Sequence, residues 1–220
     1  MSAAVIEPRS LAELLAGLTD APLNGEVTGV AADSRHASPG DLFLAVAREG
    51  EQRRAHATEA RERGAVAIAW DPADGEAPVA DALPVPGLRE AAGAIAARAL
   101  GTPSEDLTLI GVTGTNGKST CAWLLAQVLG GGERSAGLIG TLGHGLWPDL
   151  APATHTTPDP VALQQTLAGF RDAGAGAAVM EVSSHALAQE RLAGAAVDIA
   201  VFTNLSRDHL DYHADMEAYI

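Results

Sequence analysis

The chain has 220 residues, 47% hydrophobic and 19% charged, with a formal net charge of −14 and a pI near 4.7. That length allows one or two domains with a real core, and the composition excludes a disordered chain. The acidity excludes the basic face that a nucleic acid or an anionic membrane surface requires, so an anionic ligand has to be held by helix N-termini and single arginines. Cys121, the one cysteine, excludes an internal disulfide framework and fits a reducing compartment. No run of about 18 or more apolar residues appears, and MSAAVIEPRSLAELL lacks a basic region followed by an apolar core. The expectation is a soluble, cytoplasmic protein with no nucleic-acid or membrane partner.

In chain order, Ser10 and Glu13 form a capping box that opens a short helix ended by Gly17. Strand-like apolar runs follow at Val27–Ala31, Leu42–Ala47 and Ala65–Trp70, with a helix over His56–Arg63 closed by Gly64. Asp71–Asp81 reads as a surface loop and Leu88–Leu100 as an Ala-rich helix. Gly101-Thr-Pro-Ser104 marks a domain boundary. Beyond it, strands at Leu107–Val112, Ala136–Gly140, Ala177–Val182 and Val197–Thr203 alternate with helices at Lys118–Leu129, Asp159–Gly174 and Leu187–Leu192. Met216–Ile220 reads as the middle of a helix without a stop signal. The fold class is therefore α/β: a small N-terminal α/β domain, then a mostly parallel, doubly wound domain.

The strongest chemical signal is Gly111-Val-Thr-Gly-Thr-Asn-Gly-Lys-Ser-Thr120, which follows an apolar strand and opens a helix. Gly114 and Gly117 let backbone amides approach phosphate oxygens, at a helix N-terminus with partial positive charge. Lys118 suits the β- and γ-phosphates and the Ser119 hydroxyl suits Mg²⁺. Thirteen of the 14 basic residues are arginine, so Lys118 is the chain's only lysine. Val112 stands where the general phosphate-loop pattern has its first glycine. The plainer alternative is a Gly-rich turn that only joins a strand to a helix.

Glu181 ends a buried strand on the same sheet edge, where ligands of open α/β sheets bind, and is placed to hold Mg²⁺ or to stand as a solvated strand-end acid. His209, in Asn204-Leu-Ser-Arg-Asp-His-Leu-Asp-Tyr-His213, reads either as a ligand near metal and phosphate or as a surface histidine. No Cys pair or His-x₃-His helix supports a zinc site. His155, Thr156 and Thr157 precede a helix N-terminus as an anion cradle, or Asp159 simply caps that helix. Ser183, Gln189 and Arg191 suit a polar substrate, although Arg191 reads equally as one more solvated arginine. Cys121 reads as packing in the first helix of the second domain.

With these residues assembled, the chain closely resembles the Mur ligases of peptidoglycan synthesis. The matching stretches are Asp33-Ser-Arg35 with Pro39-Gly-Asp-Leu-Phe43, Gly114–Thr120, Thr156-Thr-Pro-Asp159, Glu181-Val-Ser-Ser-His185 and Asn204–His213. The Thr-Thr-Pro and Ser-Arg-Asp-His-Leu-Asp-Tyr-His segments are most similar to the branch that adds the third peptide residue. The resemblance implies that residues 1–101 bind the UDP end of UDP-N-acetylmuramoyl-L-alanyl-D-glutamate, with Ser34 in contact. It implies that His155, Thr156, Thr157, Ser183, Gln189 and Arg191 hold the muramoyl dipeptide. Gly114, Thr115, Asn116, Gly117, Lys118, Ser119 and Thr120 would bind ATP, with Lys118, Glu181 and His209 catalytic, Ser119 and Glu181 on one Mg²⁺ and His209 on a second. The implied reaction makes an acyl phosphate, which an amino acid, diaminopimelate on family grounds, then attacks; the implied enzyme is a monomer.

Arg48-Glu-Gly-Glu-Gln-Arg-Arg54 departs from the Gly-rich segment that lines the family's uridine pocket. The family's carbamylated lysine would fall just past Ile220, and residues 102–220 read as a central ATP-binding domain incomplete at its C-terminus. The third domain, which binds the amino acid, is not in this sequence, so the chain alone is expected to be inactive. Two other readings stay open: a non-catalytic protein binding a nucleotide or UDP-sugar, and a phosphate-loop NTPase of another family.

Overall fold

Short apolar runs that alternate with helices can bury both of their faces only in parallel sheets, and the computed structural model shows two such sheets. It describes residues 7–132, 134–153 and 155–220. Met1–Ile6, where the stretch read above for a signal peptide begins, lie outside the described residues. The chain divides after Gly101 into two compact units.

In the first unit, β1 (Arg9–Ser10) pairs antiparallel with β2 (Glu26–Val27). Ser10 caps α1 (Leu11–Leu14) by accepting from the amides of Ala12 and Glu13. A parallel sheet follows, formed in order by β3 (Gly29–Ala31), β4 (Asp41–Leu44), β5 (Ala67–Trp70) and β6 (Leu83–Pro84). Phe43 and Ile68 bury against Ala57 and Ala60 of α2 (Gly50–Glu62), and α3 (Leu88–Ala99) packs against β3 and α1.

The expected boundaries shift for local reasons. β4 stops at Leu44, where the Val46 amide turns back onto the Leu44 carbonyl. α2 starts at Gly50 rather than His56, because Arg53 shares the buried face of Ala57 and Ala60. Its guanidinium donates to the carbonyls of Ala47, Arg48 and Asp74 and pairs with the Asp74 carboxylate at 3.1 Å. The charged Arg48–Arg54 segment is thus largely helix. Asp71–Asp81 is not all surface: Asp71 is buried and caps both the 3-10 turn Pro72–Asp74 and the Gly87 amide.

In the second unit, the strands run in the order β10 (Asp149–Ala151), β9 (Gly143–Leu146), β8 (Ala136–Gly140), β11 (Ala177–Glu181), β7 (Thr108–Thr113) and β12 (Ile199–Phe202). β8, β11, β7 and β12 are parallel, whereas β9 and β10 are antiparallel. Alternation along the strands sends Leu109, Ile139, Ala178 and Met180 to the face covered by Leu163, Leu167 and Phe170 of α5 (Pro160–Asp172). Ile110, Val112, Leu138 and Val179 face Ala122 and Ala126 of α4 (Lys118–Gly130). Helices on both faces make this the doubly wound sheet read from the sequence.

The β9–β10 hairpin was not read from the sequence, because Gly143-His-Gly-Leu146 and Asp149-Leu-Ala151 lack a strand pattern. The helix expected over Leu187–Leu192 lies upstream as α6 (Ser184–Ala188), because Ser183 caps it through the Ala186 amide. α7 spans Met216–Tyr219. No described helix is long and apolar enough to cross a membrane.

Candidate nucleotide and substrate site

β7, β8, β11 and β12 all end on one edge of their sheet, and the segments leaving them surround a pocket of about 720 Å³. Its walls include Gly114–Ser119, Thr141, His155–Thr157, Glu181, Ser183, Arg191 and His209. Most residues singled out from the sequence therefore meet in one cavity. Thr120 and Gln189 do not line it, and Ser34 belongs to the first unit.

Gly117 sits in the left-handed region (φ 85°) and starts α4, whose first i→i−4 bond is Cys121 N–H to the Gly117 carbonyl at 2.9 Å. The amides of Lys118, Ser119 and Thr120 precede that bond and have no intrahelical acceptor, the arrangement of a helix N-terminus that suits an anion. The Lys118 ammonium donates to the carbonyls of Gly114 at 2.6 Å and Thr115 at 3.1 Å, which folds its side chain over the loop.

Glu181 is 2% exposed, and its two carboxylate oxygens have separate partners. Oε2 accepts from the Ser119 hydroxyl at 2.8 Å, and Oε1 accepts from the Thr141 amide at 2.8 Å. A Cβ on Gly140 would stand 2.3 Å from Oε1, so glycine there gives the acid its room. The Thr141 hydroxyl lies 3.4 Å from Oε2 and 2.9 Å from the Thr156 hydroxyl. Thr141 thus joins the phosphate-loop side of the pocket to the opposite wall. It was not singled out from the sequence, yet it ends an apolar run on the same edge as Glu181, and that positional rule would have found it.

On the opposite wall, buried Thr157 donates to the Glu181 carbonyl at 2.8 Å and accepts from the Ser183 amide at 3.3 Å. Arg191 donates to the Thr157 carbonyl at 2.7 Å and to Gln189 Oε1 at 2.6 and 3.0 Å, so it is tied into the wall rather than freely solvated. Asp159 caps α5 through the amides of Val161 and Ala162. Ser34 is 2% exposed and donates to Glu59 at 2.6 Å.

Among the described residues His209 is one of three non-glycine residues with positive φ, at 51°. Its ring lies 4.9 Å from that of His185. Burial, followed by the neighbouring His209 and His213, pushes the His185 pKa below its ordinary value. Burial likewise lowers the pKa of His144, whose Nδ1 accepts from the Gly140 amide.

The sheet order, the glycine loop opening α4 and the Ser119–Glu181 contact define a phosphate-loop α/β domain. Residues 112–220 match the model of the Mur ligase middle domain. A UDP-N-acetylmuramoyl-L-alanyl-D-glutamate--2,6-diaminopimelate ligase of Chromobacterium violaceum is 53% identical over 194 residues, covering 86% of this chain and 39% of that protein. The enzyme of the same name from Ectopseudomonas mendocina is 50% identical over 216 residues, covering 96% of this chain and 44% of the relative. A solved ligase of that name superposes with a TM-score of 0.81 at 36% identity, covering 97% of this chain and 43% of that one. The chain belongs to the Mur ligase family. It spans about two fifths of the length of these relatives.

Proposed function

We propose that residues 102–220 bind ATP and the muramoyl dipeptide of an ATP-dependent ligase, and that residues 7–101 bind the UDP end of the same substrate. In the whole enzyme the dipeptide carboxylate would take the γ-phosphoryl group of ATP, and the amine of diaminopimelate would displace phosphate to form the amide. The observation that carries this reading is the 2.8 Å contact between Ser119 at the head of α4 and Glu181 in a pocket whose far wall bears Thr156, Thr157, Ser183 and Arg191.

A hydroxyl and a carboxylate so close are hard oxygen donors of the kind Mg²⁺ takes. Mg²⁺ keeps several waters and phosphate oxygens, so it fits even though the described residues hold no group of three or more His, Cys, Asp or Glu side chains placed for a metal. Ser119 and Glu181 would hold one ion, and His209 stands at the same pocket for a second. Bound there, Mg²⁺ would neutralise phosphate charge as it develops. The Lys118 ammonium would turn from its own loop carbonyls to the β- and γ-phosphates. The amides of Lys118–Thr120 would orient the phosphates, and Arg191 with the threonine hydroxyls would hold the acceptor carboxylate in line.

Titration calorimetry with ATP and Mg²⁺ tests this. Lys118→Ala should weaken binding about a hundredfold with the melting midpoint unchanged. Equal affinity in the variant would sink the phosphate-loop assignment. UDP-N-acetylmuramoyl-L-alanyl-D-glutamate should also bind, and Arg191→Ala should weaken it.

A further inference from the structure

The strand ladder between β12 and β7 ends with Phe202 opposite Thr113, yet the chain beyond it stays pressed against the phosphate loop. The backbone of Asn116 is held on either side of its Cα by Asn204: its N–H donates to Asn204 Oδ1 at 3.2 Å, and its carbonyl accepts from Asn204 Nδ2 at 2.9 Å. The Thr203 hydroxyl donates to the same carbonyl at 2.7 Å. The Thr115 N–H donates to the Asn204 carbonyl at 2.9 Å, and the Thr115 hydroxyl lies between the amide and carbonyl of Ser206. Gly114 permits this approach: at φ 127° a Cβ there would stand 2.2 Å from Thr203 Oγ1 and 2.8 Å from the Asn204 carbonyl.

We propose, on the reading that Gly114–Thr120 binds nucleotide phosphates, that Asn204 is a positioning residue for nucleotide binding, its amide side chain fixing the Asn116 peptide so that the amides of Lys118–Thr120 face the phosphates. A carboxamide is a side chain that can donate to the carbonyl and accept from the N–H of one residue's backbone. Asn204 and Asn116 are both exposed, so the pair does not fill the core. Its effect is to hold a short Gly-containing loop, whose free conformers would otherwise have to be ordered by the ligand. The amides of Thr115 and Asn116 point at segment 204–206, and the anion site begins at the head of α4.

The test is calorimetric titration of this chain with ATP and Mg²⁺, comparing Asn204→Ala, Asn204→Asp and Lys118→Ala, with amide hydrogen exchange read at residues 115 and 116. Asn204→Ala should weaken ATP about tenfold and speed exchange at those two amides, with a melting shift under about 4 °C and unchanged exchange in β7. Asn204→Asp, which sets a carboxylate against the Asn116 carbonyl, should weaken ATP at least as much. Asn204→Ala binding within about twofold of the parent while Lys118→Ala loses ATP would overturn the positioning role and leave the nucleotide reading standing. Unchanged binding by Lys118→Ala would remove both. If Asn204→Ala does not fold, Thr203→Val, which removes the hydroxyl's bonds to the carbonyls of Asn116 and Thr113, should cost severalfold in affinity, and no change would overturn the proposal.

Discussion

Both units place charged side chains near the carboxyl ends of parallel strands, but they use them differently. In residues 7–101, Arg53 and Arg89 turn inward: they converge on the Asp74 carboxylate and donate to the carbonyls of residues 46–48, just past β4. In residues 102–220, Lys118, Glu181 and Arg191 stand on the wall of an open pocket. The same architecture collects polar groups at the same edge. Whether they serve as scaffold or as site depends on whether the chain's own backbone encloses them.

The sharpest way to break this contrast is Arg53→Ala. It leaves Asp74 with Arg89 alone and strips the Arg48 and Asp74 carbonyls of their side-chain donor, and should cost about 2 kcal/mol, read by urea or thermal unfolding. Lys118→Ala should leave the melt in place, and if the two variants melt alike the distinction fails. A finer test is Thr141→Val, which keeps the amide bond to Glu181 and loses only the hydroxyl. It should weaken UDP-muramoyl dipeptide about fivefold, and Thr141→Ser should restore binding. The smallest expected effect is on acid stability. A side-chain hydrogen bond from Arg35 lowers the Asp33 pKa from 3.8 to about 2. A lowered carboxylate pKa adds stability that is complete above pH 3.8 and is lost as the pH falls through about 2. Asp33→Asn should flatten that part of the acid unfolding curve slightly, because the pair is exposed.

The buried strands were legible because apolar side chains there must satisfy both faces: β8 and β11 fall within the runs read from the sequence, and β7 overruns its run only by Thr113. By contrast β12, read as buried, is an edge strand with Ile199 and Phe202 exposed. The start of α2 was not, since an arginine at a core position reads as surface until its carbonyl partners are known. The β9–β10 hairpin was hidden by Gly143 and Gly145, which stand within β9 and break any alternation of apolar and polar side chains. In the site, the phosphate loop was legible from its glycine spacing, the strand before it and Lys118, whereas position left Glu181 between a metal-holding acid and a solvated strand-end acid. Thr141, at the end of an apolar run on the same edge, was within reach of the rule that picked out Glu181, but its bond to that acid appears only in the fold. Asn204 lay inside a motif already noted, but its contacts depend on a fold that brings residues 88 positions apart into hydrogen-bonding distance.

That separation has a consequence for the order in which the molecule is made. A ribosome adding roughly 5–20 residues per second needs several seconds to pass from Asn116 to Asn204. During that interval the glycine loop and α4 can form without the clamp, because β12, at one edge of the described sheet, has not yet been made. A nascent chain should therefore gain its hold on ATP late, at the moment its edge strand closes, rather than when the loop itself emerges.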